Sequence, residues 1–181
     1  LLIAERFVPE EEQEAAIHSL VVLDPTWKGK DEDLQALREL RGTITLLVQD
    51  SPLGDDALRQ LKDVSNLHEL TIQGSRFSAK ALIELHRLRP NLYLNTRSQA
   101  WMGIAGSGTP CVVDRVMEGS AAEEAGLKVG DKILQLEGIE IHDFMELTLA
   151  MADKKGGETI RCQVERETGK VEISIKLRER P

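Results

Sequence analysis

Aromatic side chains are scarce in this sequence: two Trp, one Tyr and three Phe make up 3% of 181 residues. With a hydrophobic fraction of 41%, burial has to rest on aliphatic residues, which suits strands and repeated helices better than an aromatic-centred core. A basic excess is also missing. Residues 1–100 carry 12 basic and 16 acidic groups, residues 101–181 carry 11 and 15, and the net charge is −8. Nucleic-acid binding draws most of its affinity from cations that neutralise phosphates, so neither half is suited to it. Cysteine occurs twice, at Cys111 and Cys162, with no CxxC pair. That excludes a zinc knuckle and a thioredoxin-type motif. Both fall on the buried parity of alternating apolar strands and read as reduced core thiols. No run reaches the roughly 18 apolar residues of a membrane span. The chain begins at Leu1 rather than methionine. The expectation is an upstream piece that has been removed, with LLIA as the tail of an excised apolar anchor.

Catalytic and cofactor constellations are lacking as well. The glycine-rich stretch WMGIAGSG, Trp101–Gly108, has its glycines at 103, 106 and 108 and is followed by a strand. A dinucleotide loop needs GxGxxG between strand and helix, so the order is reversed. A nucleophile elbow needs GxSxG, and Ala105 stands where its first glycine belongs. Gly29-Lys30 has neither the upstream glycine nor the following Ser/Thr of a Walker loop. His18, His68, His86 and His142 share no metal-ligand spacing, and each reads as a solvated side chain. The acidic run Asp31-Glu32-Asp33 opens a helix, where carboxylates favour the positive helix end. A calcium site needs a longer oxygen-rich loop. The sequence therefore predicts no enzyme activity, no cofactor and no metal.

What is present begins with a repeat. Leu34, Leu58 and Leu82 are spaced by 24, and so are Leu37, Leu61 and Leu85, and Leu40, Val64 and Leu88. A strand-like pair precedes each set: Leu20/Val22, Leu46/Val48 and Leu70/Ile72. Each pair is followed by an apolar anchor: Trp27, Leu53 or Phe77. The unit is a strand, a turn and a helix that cannot bury its own apolar face, so units must stack. LHELTIQGSRFSAKALIELHRL resembles a leucine-rich repeat of a bacterial subclass, with Ser51 and Ser75 in place of the usual asparagine. The resemblance covers roughly residues 17–94 and implies a repeat domain over 17–96, a solenoid of about three repeats with parallel strands. PEEEQEAAIHSL, proline followed by acids, reads as a helical cap within residues 1–16. Leu92-Tyr93-Leu94 reads as the stub of a fourth strand. The expected open concave face carries Ser19, Val21 and Leu23, then Thr45, Leu47 and Gln49, then Glu69, Thr71 and Gln73. Val21, Leu23, Leu47 and Thr71 are its candidate contact residues, either covered by the N-terminal helix or open to a partner.

The second half alternates strands and turns. A strand at Pro110–Val116 leads to a short helix capped by Ser120 and closed by glycine. A turn and strand at Val129–Leu136, a helix at Asp143–Ala152 and two strands anchored by Ile160, Cys162, Val164 and by Val171, Ile173, Ile175, Leu177 follow. In this order residues 97–181 resemble a PDZ domain, an α+β, partly open β-barrel. GSAAEEAGLKVGDKILQLEG carries the likeness, and the strand order is similar to the bacterial version found in envelope serine proteases. The resemblance implies that WMGI is the carboxylate-binding loop, with backbone amides of Met102, Gly103 and Ile104 as donors. Independently of the family, a glycine turn that converges several N–H groups makes an anion nest. Ala105, Gly106 and Ser107 are then the edge to which a ligand strand adds. Met145 and Leu149, with Met102 and Ile104, are candidates for the pocket of the last ligand side chain, while Phe144, Leu147 and Met151 face the core. An apolar lining predicts an apolar last residue. Arg97 reads as an ordinary exposed arginine more readily than as a support for the carboxylate. The family's helix-start histidine has no counterpart, since His142 lies too early.

The functional expectation is a non-catalytic adaptor that captures protein C-termini or extended peptides, with the repeats as a second surface. Two alternatives remain: a regulatory, substrate-recognition subunit of an envelope protease, and an architectural module whose groove is closed. By resemblance the compartment is a bacterial periplasm or cell envelope.

Overall fold

The computed structural model describes residues 2–5, 17–74, 76–96 and 98–180. The chain divides into two compact units, Leu1–Arg97 and Ser98–Pro181. None of the described helices is long and apolar enough to cross a membrane.

The first unit runs β1 (Leu2–Glu5), β2 (His18–Leu23), a 3-10 helix (Asp31–Glu39), β3 (Thr43–Gln49), α1 (Asp55–Leu61), β4 (Leu67–Gln73), α2 (Ala79–Leu88) and β5 (Tyr93–Thr96). The sheet order is β1-β2-β3-β4-β5, with β2 to β5 all parallel. Parallel neighbours need a crossover connection, which the helices supply. Leu34, Leu58 and Leu82 are at most 2% exposed, and Leu37, Leu61 and Leu85 are also buried. The third spaced set departs at its end: Val64 is buried but Leu88 is 58% exposed. Leu88 is the last residue of α2, and it is the following residue that turns inward. The Arg89 guanidinium donates to the carbonyls of Lys62 at 3.2 Å, Val64 at 2.9 Å and Leu67 at 2.9 Å. These carbonyls lie just past α1, where backbone acceptors have no helical partner. Asn66 closes the preceding turn in the same way, donating to Leu40 O at 2.8 Å.

Two expectations for this unit are corrected. Leu2–Glu5, within the expected helical cap over 1–16, form a strand antiparallel to β2 with Ile3 opposite Val21. Without it β2 would present a row of unpaired backbone groups at the sheet edge. The helix expected from Pro9 onward lies outside the described residues. The second correction is the parity of β2. Val21 and Leu23 are 0% and 1% exposed and align with Leu46 and Val48 on the helix-covered side, so they do not line the open face. Leu20, 39% exposed, and Val22 take that face instead. All four residues from Leu20 to Leu23 are apolar, so no alternation marks which pair points inward, and a one-residue slip exchanges the faces.

The second unit comprises β6 (Ala100–Trp101), β7 (Ile104–Ser107), β8 (Val112–Val116), α3 (Ala121–Glu124), β9 (Lys132–Leu136), β10 (Ile139–Glu140), α4 (Phe144–Ala150), β11 (Thr159–Arg166), β12 (Gly169–Lys176) and β13 (Arg178–Glu179). Its main sheet has the order β12-β11-β9-β8-β7, β10 pairs with β9, and β13 pairs with β6. The core is aliphatic, as the composition requires: Val113, Ile133, Leu136, Leu149, Ile160, Val164 and Ile175 are at most 2% exposed. Cys111 and Cys162 are free and buried among them. A clamp holds the turn before β9. The Asp131 side chain, 3% exposed, accepts from Arg166 Nε at 2.6 Å, Arg166 Nη2 at 2.7 Å and the Lys128 amide at 2.8 Å. Burial opposes ionisation of Asp131, but the hydrogen bonds from Arg166 and Lys128 outweigh it and hold the carboxyl below its usual value.

Two outcomes are expected. Leu23→Ala should cost about 2–5 kcal/mol and Leu20→Ala under about 1 kcal/mol, read as urea midpoints; equal losses would contradict the parity of β2. Because the folded-state value of Asp131 is depressed, its contribution is present above the unfolded value of about 4 and is lost as pH falls through the folded one. Arg166→Met should therefore cost about 1.5–3 kcal/mol at pH 7, and the gap to the parent protein should narrow as urea midpoints are followed down below pH 4.

Candidate functional site

The candidate site is built on the segment joining β6 to β7. Gly103 has φ +85°, the left-handed region that a glycine occupies without strain. A Cβ at this position would collide with the Ser120 side chain, which is 0% exposed beneath the loop. Ser120 is held in turn as the cap of α3. Its hydroxyl accepts from Glu123 N–H at 3.2 Å, and the Glu123 carboxylate accepts from Gly119 N–H at 2.7 Å, a reciprocal capping arrangement.

The loop is fastened through its carbonyls. Met102 O accepts from Ala122 N–H and Gly103 O from Met117 N–H, both at 2.9 Å. Among the described residues neither the Met102 nor the Gly103 amide donates to a backbone carbonyl. Ile104 is opposite Val116 in the β7–β8 ladder. In an antiparallel ladder, bonded and non-bonded pairs alternate. Gly103 and Met117 are bonded, so Ile104 and Val116 are the non-bonded pair, and the N–H and C=O of Ile104 point away from β8. The sheet path ends at β7, so that outward side has no strand beside it among the described residues. Met102, Gly103 and Ile104 therefore lie together at the start of an open edge that continues through Ala105, Gly106 and Ser107.

Helix α4 approaches the same strand. Its cap, Asp143, accepts from Glu146 N–H at 2.7 Å, and Phe144 N–H donates to Gly108 O at 3.3 Å. A Cβ on Gly106 would meet the Phe144 ring at 2.8 Å, so Phe144 leans on the edge strand and is half-buried rather than turned into the core as expected. Leu147 and Met151 are buried. Of the pocket candidates, Met145 and Ile104 are half-exposed, whereas Leu149 is 0% and Met102 5% exposed. Leu149 therefore belongs to the core. The reason is that Glu146, Leu147, Leu149 and Ala150 are all buried, so more than one face of this short helix is covered.

Glu146 was not singled out by the sequence reading. It is a buried carboxylate that accepts from the His142 amide at 2.8 Å and from His142 Nδ1 at 3.1 Å. The signal was available in Asp143-x-x-Glu146, the spacing of a capping box. It holds the helix start and with it the approach of α4 to β7. Nucleophilic thiol chemistry is not supported nearby, because burial, reinforced by Asp143 and Glu146, pushes the Cys111 thiol up to about 12, and burial likewise takes Cys162 to about 12. Among the described residues no three His, Cys, Asp or Glu side chains are grouped to hold a metal.

In the first unit the open sheet face carries Leu47 and Thr71 but not Val21 or Leu23. Thr71 Oγ1 donates to Glu69 at 3.1 Å, and Thr45 Oγ1 lies 3.1 Å from His18 Nε2. Ser75 and Arg97 lie outside the described residues.

The family described as PDZ domain matches residues 81–177. A curated relative from Marinomonas sp., described as a probable periplasmic serine endoprotease DegP-like, is 31% identical, with 46% of this chain and 21% of the relative covered. The chain thus spans about a fifth of that relative's length. Similar solved structures include the HtrA-type protease AlgW with decapeptide, at 22% identity, 56% of this chain, 35% of that chain and TM-score 0.44. The serine endoprotease from Yersinia pestis is 24% identical, covering 57% and 36% at TM-score 0.43. The HtrA3 PDZ domain bound to a phage-derived ligand is 20% identical, covering 45% and 86% at TM-score 0.39.

Replacing Gly103 by alanine should destabilise the protein by about 1–2 kcal/mol from the left-handed backbone alone, and by more for the overlap with Ser120. A urea midpoint equal to that of the parent protein would contradict the loop geometry.

Proposed function

We propose that this chain, which belongs to the PDZ domain family, is a non-catalytic adaptor that binds the C-termini of other proteins along β7. The observation that carries the reading is the unpaired outer edge of β7 beside amides of Met102 and Gly103 that are not engaged by other backbone. A ligand carboxylate satisfies the amides, and the ligand's last residues add a strand to the edge at Ala105, Gly106 and Ser107. Ile104 and Met145 offer an apolar lining, so the last ligand residue is apolar.

The first unit is read as bacterial leucine-rich repeats that form a second binding or docking surface. Support comes from the 24-residue spacing and the parallel strands. The division of labour follows the expected domains: a cap in 1–16, repeats in 17–96 and the peptide-binding domain in 97–181.

A second reading is a regulatory subunit that selects substrates for an envelope protease. It is favoured by the periplasmic endoprotease named as a relative, of which this chain matches only a fifth. The periplasm or cell envelope is the compartment that fits both readings. A purely architectural role with a closed groove is favoured by the burial of Leu149 and Met102.

Peptide-library binding with free and amidated C-termini tests the choice. Charge-assisted hydrogen bonds are worth about 1.5–3 kcal/mol, so amidation should weaken binding by roughly ten- to hundredfold. Equal affinity for both forms would move recognition away from Met102–Ile104, and absence of binding would favour the closed groove. Co-purification of a protease would favour the regulatory subunit.

A further inference from the structure

The register of β7 and β8 places two opposite charges on the solvent side of the peptide groove. Residues directly opposed in an antiparallel pair put their side chains on the same face. Ala105 is opposite Arg115, while Ser107 is opposite Val112. The side carrying Ile104 and Gly106 is turned to α4, as the contact between Gly106 and the Phe144 ring requires. Ala105, Ser107 and Arg115 therefore occupy the other side. Arg115 is exposed, and among the described residues its guanidinium forms no ion pair or side-chain hydrogen bond. The ladder shifts register between Ala105 and Gly106, which leaves Asp114 as the extra residue of β8. Its carboxylate accepts from Ser107 Oγ at 3.3 Å and so sits on this same outer side.

A bound peptide has a determined direction. Its carboxylate lies at the Met102–Gly103 amides, at the beginning of β7, and its body lies along Ile104 to Ser107. It must run antiparallel to β7. The outward N–H and C=O of Ile104 pair with the last ligand residue, whose side chain faces α4. The penultimate residue is then opposite Ala105 and shares the outer side with Arg115. Two residues further back the ligand is opposite Ser107, beside Asp114. The ligand strand and β8 are separated by two strand spacings, roughly 10 Å. Between them stands only the methyl group of Ala105, over which an extended arginine and a carboxylate on the ligand meet.

We propose that Arg115 and Asp114 make the groove selective for charge: an acidic penultimate residue, and a basic rather than acidic residue two positions before it. This rests on β7 being the peptide-binding edge, and it adds a ligand class, a basic-x-acidic-apolar C-terminus. Each contact is a solvent-exposed pair, so its effect is a modest one of about two- to fivefold in affinity, and it weakens with salt.

The test uses fluorescence anisotropy on the full chain with labelled decapeptides ending in valine with a free carboxylate, the penultimate residue being Glu, Ala or Lys. The Glu peptide should bind about two- to fivefold more tightly than the Ala peptide and the Lys peptide more weakly. Arg115→Ala should abolish the differences and Arg115→Glu should reverse them, with the Ala peptide binding both variants as it does the parent. A second series varies the residue two positions further back as Lys or Glu. Lys should win in the parent protein, and Asp114→Lys should invert the order. If the peptides bind, amidation weakens them and the penultimate charge has no effect, the proposal falls while the peptide-binding reading stands. If amidation has no effect, or no peptide binds, the reading itself falls and the proposal with it.

Discussion

The peptide binding proposed for the second unit depends on one strand being hydrogen-bonded on one side only. β7 is fixed to β8 by a ladder, and its other side faces outward at the end of the sheet path. Backbone N–H and C=O groups have a strong requirement for partners, which is why the edge is proposed to pair with an extended chain. An exposed edge is also a route to aggregation. The hazard is limited because β7 is four residues long, contains Gly106 and carries a register shift. Any added strand meets the same few backbone groups of β7, so an indiscriminate sheet extension gains little, whereas the proposed ligand tail would add its carboxylate at the Met102 and Gly103 amides.

Gly103 connects this edge to the rest of the unit. Its left-handed conformation turns the chain so that Met102 and Gly103 are held through their carbonyls while their amides stay available. The packing of Ser120 underneath leaves no room for a side chain. The position of the loop is thus set by α3, and the position of the opposite wall by Asp143 and Glu146 at the start of α4. Both walls are set by helix caps rather than by the strand they flank. Caps suit this task because they consist of short, local hydrogen bonds that form with the helix itself.

The first unit solves a different problem. Each strand–helix module buries its apolar stripe against the next, and the turns between modules hold carbonyls that no ladder satisfies. Arg89 and Asn66 reach back into those turns, and Asp55 accepts from the amide and hydroxyl of Ser78 at 2.8 and 2.7 Å. Polar side chains thus complement the aliphatic packing from one module to the next. The open face of the sheet is left with a mixture of Leu47, Val22 and Leu20 beside Thr45, Glu69 and Thr71.

The spacing of apolar residues at 24 was legible because helix faces repeat the same buried positions in every module. The glycine loop and its neighbours were legible too, since a left-handed turn beside a strand demands glycine whatever the ligand. Local chemistry also announced the cap at Ser120. Other features depend on partners distant in sequence and could be decided only by the tertiary structure. Leu20–Leu23 are apolar throughout, so only the sheet showed which pair points inward. Leu2–Glu5 became a strand because β2 offered an edge. Leu149 and Leu88 follow helical spacing equally well, yet one is sealed in the core and the other is exposed, because burial depends on what packs against a face and not on its periodicity. Arg89, Arg115 and Arg166 are alike as letters. The carbonyls, the neighbouring strand and the buried carboxylate that distinguish them are brought to each by the fold.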